Sequence, residues 1–328
     1  MSLSRIFGLS RRQLLADLAL LPIAAAAQSG YPSQTIRLIV PYAAGGGGDA
    51  LARVLGPKLA EALKQPVVIE NRPGASGVIG TDVVIKAVPD GHTILLHTLA
   101  MVSVPATFDK PPYDPVKDLI PVVELIYTPL WMAVNTQRSQ ARTVKEFIDQ
   151  VRAEKGKHYY TSSAPASTGH LIGFHLNEQT RLDMEHVGYK GGAPATTALL
   201  SGEVTAFFGD LSTLKAHLPG GRIRLLAVSG TTRSAQTPNL PTLKESGLTG
   251  LEVNSWAGLF LPRGTPPAVV KTLADTVNRL LQDPVVASKY DKLGYEIAIK
   301  TQEGFLAQVT RERDHLSELV RKTGVKAE

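Results

Sequence analysis

Loops rich in glycine and hydroxyl residues follow several predicted strands, and they are the segments of this sequence best suited to bind a ligand. Residues 40–53 combine a strand end, four consecutive glycines at 45–48 and a helix start. Consecutive glycines let the backbone approach a ligand closely, and the amide groups in the first turn of a helix attract an anion. The pattern therefore predicts an anion site here, with a tight turn that binds nothing as the alternative.

Three further loops share this arrangement of strand end, small residues and helix start. In residues 70–80, Ser76 either contacts a ligand or caps a helix, and Arg72 either pairs with an anion or braces the loop through Glu70. The other two are residues 159–170, rich in Ser and Thr, and residues 188–194. Because α/β sheets bind ligands at the carboxyl ends of their strands, we expect these loops to face one another across a cleft.

The elements that must position these loops follow an α/β pattern. Short β-branched runs alternate with segments of helical period, which predicts two lobes. Thr143 and Glu146 form a capping box for a helix ending near residue 154. The predicted fold class is α/β, with two mixed, mostly parallel sheets flanked by helices and a double-crossover hinge. Strands are predicted at 35–42, 66–70, 93–97, 159–162, 186–189, 205–208, 223–229 and 253–262, and covering helices at 267–281, 284–293 and 302–323.

The first 27 residues have the features of a cleaved export signal. Arg5, Arg11 and Arg12 precede an apolar run from residue 14 that ends in four alanines, and residues 10–15 resemble a twin-arginine motif. An ordinary first helix is the alternative. The predicted organisation is an export signal at 1–27, lobe one at 28–130 and 257–328, and lobe two at 131–256, in a protein located outside the cytoplasm.

Composition excludes several classes of chemistry. The 328-residue chain has no cysteine, so thiol nucleophiles, cysteine zinc sites and iron–sulfur clusters are ruled out. Removing three arginines and one aspartate with the signal lowers the formal net charge from +6 by two. No block of basic residues interleaved with aromatics is present, which argues against nucleic-acid binding. His170 and His175 are five residues apart, a spacing that disfavours a metal site on one helix face.

The residues also allow three other functions. Gly45, Gly47 and Ala50 match a dinucleotide fingerprint, with Glu70 twenty residues after Ala50, which is the basis for an NAD-type alternative. An exported enzyme could use His170 with a loop serine. A secreted scaffold would bind no small ligand at all.

Several motifs in order resemble the Bug (Bordetella uptake gene) family of periplasmic solute-binding proteins, the receptors of tripartite tricarboxylate transporters. They are residues 41–53, 71–77, 89–93, 189–194, 202–204 and 238–242. The resemblance implies a Venus flytrap fold that clamps a small carboxylate and delivers it to a membrane permease. It also implies a monomer without enzymatic activity or cofactor. The implied ligand is a di- or tricarboxylate, an acidic amino acid or an aromatic carboxylate such as terephthalate.

The resemblance further implies which residues hold the ligand. The main carboxylate would be held chiefly by backbone amides and ordered waters. The residue types alone allow another role for three of these residues. Asp49 could cap a helix, Tyr189 could be a core aromatic and Lys190 could be a solvated loop charge. The implied ligand contacts are Tyr42, Ala43, Ala44, Gly45, Gly46, Asp49 and Ser76 from lobe one, and Ser163, Ser167, Thr168, His170, Tyr189, Lys190 and Asp210 from lobe two.

Overall fold

The computed structural model describes residues 30–250, 254–323 and 326, and within them the chain forms two sheets flanked by helices. The predicted export signal lies outside the described residues. We call the six-stranded sheet with its helices lobe one, and the five-stranded sheet with its helices lobe two. No helix in the described part of the chain combines the length and apolar character needed to cross a bilayer.

Lobe one contains strands from both ends of the chain. Its strand order is β11-β4-β10-β3-β1-β2. β1 pairs in parallel with β2 and β3, whereas β10 pairs antiparallel with β3 and β4, and β11 antiparallel with β4. The six strands are β1 (Ile36–Val40), β2 (Val67–Asn71), β3 (Thr93–Thr98), β4 (Leu119–Pro129), β10 (Asn254–Pro262) and β11 (Glu296–Ile297).

Lobe two is built from the middle of the chain, in the order β7-β6-β8-β5-β9. β6 pairs in parallel with β7 and β8, and β5 pairs antiparallel with β8 and β9. β4 and β5 follow each other with only Leu130 between them, so the chain passes directly from one sheet to the other there. The five strands are β5 (Trp131–Asn135), β6 (Tyr159–Ser162), β7 (Glu185–Val187), β8 (Ala206–Gly209) and β9 (Ile223–Val228).

Both sheets are mixed, as predicted, but they are not mostly parallel. The strands at the crossovers, β4, β5 and β10, form only antiparallel pairs. A strand that enters or leaves a lobe directly, without a returning helix, cannot form the parallel βαβ connection. The parallel pairs are therefore limited to β1, β2 and β3 in lobe one and to β6, β7 and β8 in lobe two.

The helix capped at Thr143 and the three covering helices lie where the sequence pattern predicts them, whereas the short helices at 100–103 and 211–214 were not predicted. Leu51, Leu55 and Leu59 form the buried stripe of α1. The side chain of Thr143 accepts the amide hydrogen of Glu146, which confirms the capping box. The helices are α1 (Gly47–Leu63), α2 (Val78–Ile85), α3 (Ala100–Ser103), α4 (Val144–Ala153), α5 (Thr168–Thr180), α6 (Gly192–Ser201), α7 (Leu211–Leu214), α8 (Pro267–Leu281), α9 (Pro284–Lys292) and α10 (Gln302–Thr323).

Each lobe has its own apolar core. In lobe one, β1 lies inside the sheet and its Leu38 is fully buried against the α1 and α8 side chains. In lobe two, Phe207 and Phe208 of β8 point into cores on opposite faces of the sheet. Loops at the carboxyl ends of β1 and β6 are thereby anchored on rigid strands.

Truncating Leu38 to alanine should lower the free energy of unfolding by about 2–5 kcal/mol, because it removes buried methyl groups and leaves a cavity. Urea unfolding of the purified protein measures this. Val88 is 71% exposed, so Val88→Ala serves as a control that should change stability by less than about 0.5 kcal/mol. Equal effects of the two substitutions would contradict the assignment of β1 to the core.

Candidate functional site

A cavity of about 140 Å³ lies between the lobes, where loops from both sheets meet. Four loops line it, and they follow the parallel strands β1, β2, β6 and β7 at their carboxyl ends. This is the edge at which α/β sheets bind ligands. Its lining residues are Pro41, Tyr42, Gly74, Ala75, Ser76, Gly77, Ala164, Pro165, Gly188, Tyr189 and Lys190.

The loop after β2 has an uncommon backbone conformation. Gly74, Ala75, Ser76 and Gly77 all have positive φ, at 131°, 44°, 53° and 97°. Positive φ is costly for residues with a side chain, and such strain persists where the surrounding structure enforces it, often at ligand clamps. The backbone amides of Ala75 and Ser76 donate to no hydrogen bond with a described residue. They are therefore free to bind an anion.

Strained backbone is concentrated at this cavity. Five described residues other than glycine have positive φ, and Lys64 and Arg181 among them are helix C-caps, where this conformation is common. The other three are Ala75, Ser76 and Ala166, all in cavity-side loops. The described residues with strained φ values outside helix ends therefore lie in the loops that surround the cavity.

In the glycine loop after β1, only Pro41 and Tyr42 line the cavity. The residues that follow contact lobe two. The amide of Ala43 donates to the carbonyl of Lys190 at 3.0 Å. A Cβ atom at Gly46 would lie 3.3 Å from the Ala43 oxygen and 3.6 Å from the Gly192 nitrogen. Glycine therefore allows the two backbones to approach each other. Because residues 190–193 cover this loop, the arrangement disfavours a dinucleotide pyrophosphate there.

Asp49 holds the glycine loop in shape. Its Oδ2 accepts the Gly45 amide hydrogen at 2.8 Å and the Arg53 Nε hydrogen at 2.8 Å. Burial alone would raise the pKa of Asp49, but these hydrogen bonds outweigh burial and lower it. The carboxylate is thus charged and bound to its own loop.

Tyr42 and Asn71 fasten the β1 loop to neighbouring strands. The Tyr42 hydroxyl is 2.7 Å from Thr98 Oγ1 and 3.1 Å from His97 Nδ1, and the Asn71 side-chain amide donates to the Tyr42 carbonyl. The Tyr42 hydroxyl is consequently occupied inside lobe one, and burial raises the pKa of Tyr42. Its contribution to the cavity is an aromatic wall.

The loop after β6 rests on a stacked pair of histidines, of which His170 is buried and His186 partly buried. The rings of His170 and His186 stack with centroids 3.7 Å apart and an interplanar angle of 6°. His170 Nδ1 accepts the Ala166 amide hydrogen at 3.0 Å, and the Ser167 hydroxyl caps α5. Burial lowers the pKa of His170 to about 4 and that of His186 to about 3, so both rings are neutral at pH 7.

A serine–histidine contact in this loop does not have the geometry of an exposed nucleophile. His186 Nε2 lies 2.9 Å from Ser162 Oγ, but Ser162 is fully buried and donates to the Ala164 carbonyl at 2.8 Å. A nucleophilic hydroxyl must reach a substrate and give its proton to the base. This arrangement instead fixes the loop that contains Ala164 and Pro165.

The structure separates the predicted ligand residues into groups. Tyr42, Ser76, Tyr189 and Lys190 line the cavity. Ala43 and Gly46 contact lobe two, and Asp49, Ser167 and His170 support loops. Asp210 is partly buried close to Gly47, and burial raises its pKa to about 6. Lining residues that sequence reasoning missed are Pro41, Gly74, Ala75, Gly77, Ala164, Pro165 and Gly188, all neighbours of predicted residues in the same loops.

The chain is similar to a known receptor family and to solved binding proteins. A family model described as "Tripartite tricarboxylate transporter family receptor" matches residues 51–325. Protein BugT of Bordetella pertussis is 32% identical over 298 residues, covering 90% of this chain and 91% of BugT. The structure of the periplasmic binding protein BugD is 31% identical, with a TM-score of 0.85, over 91% of this chain and 100% of BugD.

Two solved relatives have named ligands. A Rhodopseudomonas palustris protein solved with adipate is 30% identical and has a TM-score of 0.86, over 90% of this chain and 99% of that protein. MatC from Rhodopseudomonas palustris, solved with bound malate, is 29% identical and has a TM-score of 0.82, over 88% of this chain and 100% of MatC. Both ligands are aliphatic dicarboxylates.

Glu70 braces the loop after β2 through Arg72, whose guanidinium donates to it at 2.8 Å, and it also accepts from Arg37 at 2.7 Å. The hydrogen bonds from these two arginines lower the pKa of Glu70 from 4.5 to about 2. The stabilisation is present above the unfolded-state pKa and is lost as the pH falls through about 2. Glu70→Gln should therefore cost about 1 kcal/mol at pH 7, and the difference from the unsubstituted protein should shrink between about pH 4.5 and 2.

Urea unfolding at several pH values measures this difference, with Glu178→Gln as a control at an exposed carboxylate. A stability difference between Glu70→Gln and the unsubstituted protein that stays constant down to pH 2 would contradict the role of the Glu70 ion pairs.

Proposed function

Because this chain belongs to the receptor family of tripartite tricarboxylate transporters, we propose that it is a periplasmic solute-binding protein that closes its two lobes on a small carboxylate. The observation that carries the proposal is the inter-lobe cavity lined by four strand-end loops. Lys190 is the one charged residue in that lining. A cavity with a single positive charge and free backbone amides favours an anion.

The anchoring carboxylate would bind at the loop after β2. The amides of Ala75 and Ser76 supply donors there, and Lys190 supplies charge from the facing lobe. Charge-assisted hydrogen bonds of this kind are stronger than neutral ones. The other residues of the proposed ligand set, Ala43, Ala44, Gly45, Gly46, Asp49, Ser163, Ser167, Thr168, His170 and Asp210, would act by shaping and closing the loops, and Tyr42 and Tyr189 by enclosing the ligand.

Closure is supported by direct contacts between the lobes. Besides the Ala43–Lys190 bond, the Ser103 hydroxyl donates to the Ala166 carbonyl at 2.7 Å, and the Ser212 and Tyr295 hydroxyls are 2.8 Å apart. A ligand held by both lobes binds the closed form more tightly than the open form. It therefore shifts the equilibrium toward closure by the difference in its affinity for the two states.

The size of the cavity favours a short aliphatic dicarboxylate. A cavity of about 150 Å³ accommodates a molecule as large as benzene, and this one is about 140 Å³ and open at one side. Adipate and malate, found in two solved relatives, are of this class. We infer that a tricarboxylate or terephthalate would need a wider opening of the lobes.

The remaining parts of the proposal follow from the family. The solute would pass to the membrane permease of the transporter without a chemical step or cofactor, from a monomer exported by the signal at residues 1–27. The proposed lobe boundaries are residues 130 and 257, with residues 131–256 as lobe two, so the second boundary falls three residues into β10. The alternative of an exported enzyme would require an accessible nucleophile, which the buried Ser162 is not.

A dicarboxylate that binds the cavity should raise the melting temperature of the protein by a few degrees at 100 times its dissociation constant, equivalent to about 2.7 kcal/mol. A thermal-shift screen should compare succinate, malate, adipate, citrate and terephthalate, using protein unfolded and refolded to remove any co-purified ligand.

Gly46→Val should abolish the shift, because its side chain would separate the backbones of residues 43 and 192. Gly46 has φ of −80°, so valine causes no backbone strain there. Gly220→Val is the matched control, since a Cβ atom at Gly220 meets nothing within 4 Å. A flat screen, or an unchanged shift in Gly46→Val, would count against carboxylate binding between the lobes.

A further inference from the structure

The lobes also meet outside the inter-lobe cavity, where α7 of lobe two lies against the chain that precedes β11 in lobe one. A Cβ atom at Gly294 would lie 3.0 Å from the Leu211 side chain, and the Ser212 and Tyr295 hydroxyls are 2.8 Å apart. None of these residues lines the cavity. We call this meeting of residues 210–214 with lobe one the α7 contact. It separates when the lobes open, because its two sides belong to different lobes.

An acidic side chain lies in the α7 contact without a hydrogen-bond partner. Asp210 directly precedes α7, a position where an aspartate usually accepts an amide hydrogen of the helix, yet its side chain makes no such cap. Its Oδ2 lies toward lobe one, 2.9 Å from where a Cβ atom at Gly47 would be, at the start of α1. No described residue donates a hydrogen bond to this carboxylate. Closing the lobes therefore removes water from an acid and gives it no donor in return.

The titratable groups that face Asp210 from lobe one are two tyrosines. The Tyr295 hydroxyl also lies close to the Cβ position of Gly47, and Tyr42 is near enough to be affected by the charge of Asp210. Burial raises the pKa of both tyrosines, and the charge of Asp210 adds to that effect, so both hydroxyls keep their protons. On α1, the Asp49 carboxylate is bound within its own loop. The surroundings of Asp210 in lobe one are thus uncharged.

In the described part of the chain, no cation balances Asp210. Lys215, the residue after α7, donates instead to the Lys292 carbonyl and to Gln236 Oε1, at 3.2 Å each. Burial is the cause that raises the pKa of Asp210, from 3.8 to about 6. In the open form water would reach the carboxylate, and its pKa would return toward the ordinary value. The open and closed forms therefore differ in how readily Asp210 is protonated.

We propose that Asp210 couples lobe closure to protonation, such that acidification favours the closed form and tightens solute binding. The inference rests on the proposed function, because closure on the solute is the step that it regulates. A neutral carboxylic acid enters a dry contact at far lower cost than a carboxylate does. Protonation of Asp210 therefore removes a cost that opposes closure, while the residues that line the cavity stay as they are.

The size of the coupling follows from the two environments of Asp210. With a pKa of about 6 in the closed form, about ten closed molecules are ionised for each protonated one at pH 7, and the ratio is reversed at pH 5. The open form stays ionised at both pH values, because its ordinary pKa of 3.8 lies below them. The closed form should therefore gain about tenfold over the open form between pH 7 and pH 5.

Isothermal titration with malate at pH 7, 6 and 5 tests the coupling, with Asp210→Asn as a permanently neutral side chain of the same shape. Titration of malate itself affects both proteins alike, so the ratio of their dissociation constants isolates Asp210. We expect Asp210→Asn to bind malate at least tenfold more tightly than the unsubstituted protein at pH 7, and this advantage to shrink about tenfold by pH 5. Asp275→Asn, at an exposed position of α8, should match the unsubstituted protein at each pH.

A residue that only supports the fold would weaken binding when substituted, at every pH alike. Weaker malate binding by Asp210→Asn at pH 7, or an affinity ratio that stays constant from pH 7 to pH 5, would overturn the inference. If Asp210→Asn does not fold, Asp210→Ser supplies a smaller neutral side chain for the same comparison.

Small-angle X-ray scattering without solute separates this inference from the proposed function. If malate does not bind, the radius of gyration of the unsubstituted protein at pH 7 and pH 5 decides the question. A smaller radius at pH 5, with Asp210→Asn equally compact at both pH values, would support the coupling and count against the proposed function alone. An unchanged radius in the absence of malate binding would contradict both.

Discussion

The close approach of two backbone segments from different lobes is the constraint on which this structure depends. The Ala43 amide reaches the Lys190 carbonyl at 3.0 Å, and the absence of side chains at Gly46 and Gly191 leaves room for this approach. A backbone hydrogen bond of this kind is worth about 1 kcal/mol, too little to hold two lobes together alone. Side chains make further hydrogen bonds between the lobes, among them those from Ser103 to Ala166 and between Ser212 and Tyr295. Under the proposed closure, a ligand with contacts to both sides would favour the closed state.

Rigid support around the cavity complements this weak contact. Asp49 shapes the glycine loop, Glu70 and Arg72 brace the loop after β2, and the stacked His170 and His186 support the loop after β6. These contacts each lie within a single lobe, so closure does not need to rearrange them. The free backbone amides of Ala75 and Ser76 would be available to donate hydrogen bonds to the solute. The choice among solutes would then depend on the residues at the other end of the cavity.

The sequence pattern predicted eight of the eleven described strands and the covering helices, because hydrophobic period and capping are local, but it did not predict β4, β5 or β11. The buried stripe of α1 and the cap at Thr143 required no tertiary information. The sheet pairing was predicted less well, since the antiparallel crossover strands β4, β5 and β10 depend on where the chain changes lobes. At the site, glycine and hydroxyl residues indicated the right loops, but the positive φ of Ala75 and the inward hydroxyl of Tyr42 arise only from contacts between distant segments.

The distance between the lobes, measured with and without ligand, tests the central claim of closure most directly. The chain has no cysteine, so Val88→Cys with Lys157→Cys places one spin label on each lobe and nowhere else. Double electron–electron resonance would then follow the distance on adding the carboxylate that gives the largest thermal shift. Closure predicts that the distance distribution shifts and narrows with ligand, and that Gly46→Val abolishes the change. An identical distribution in the free and the ligand-saturated protein would contradict it.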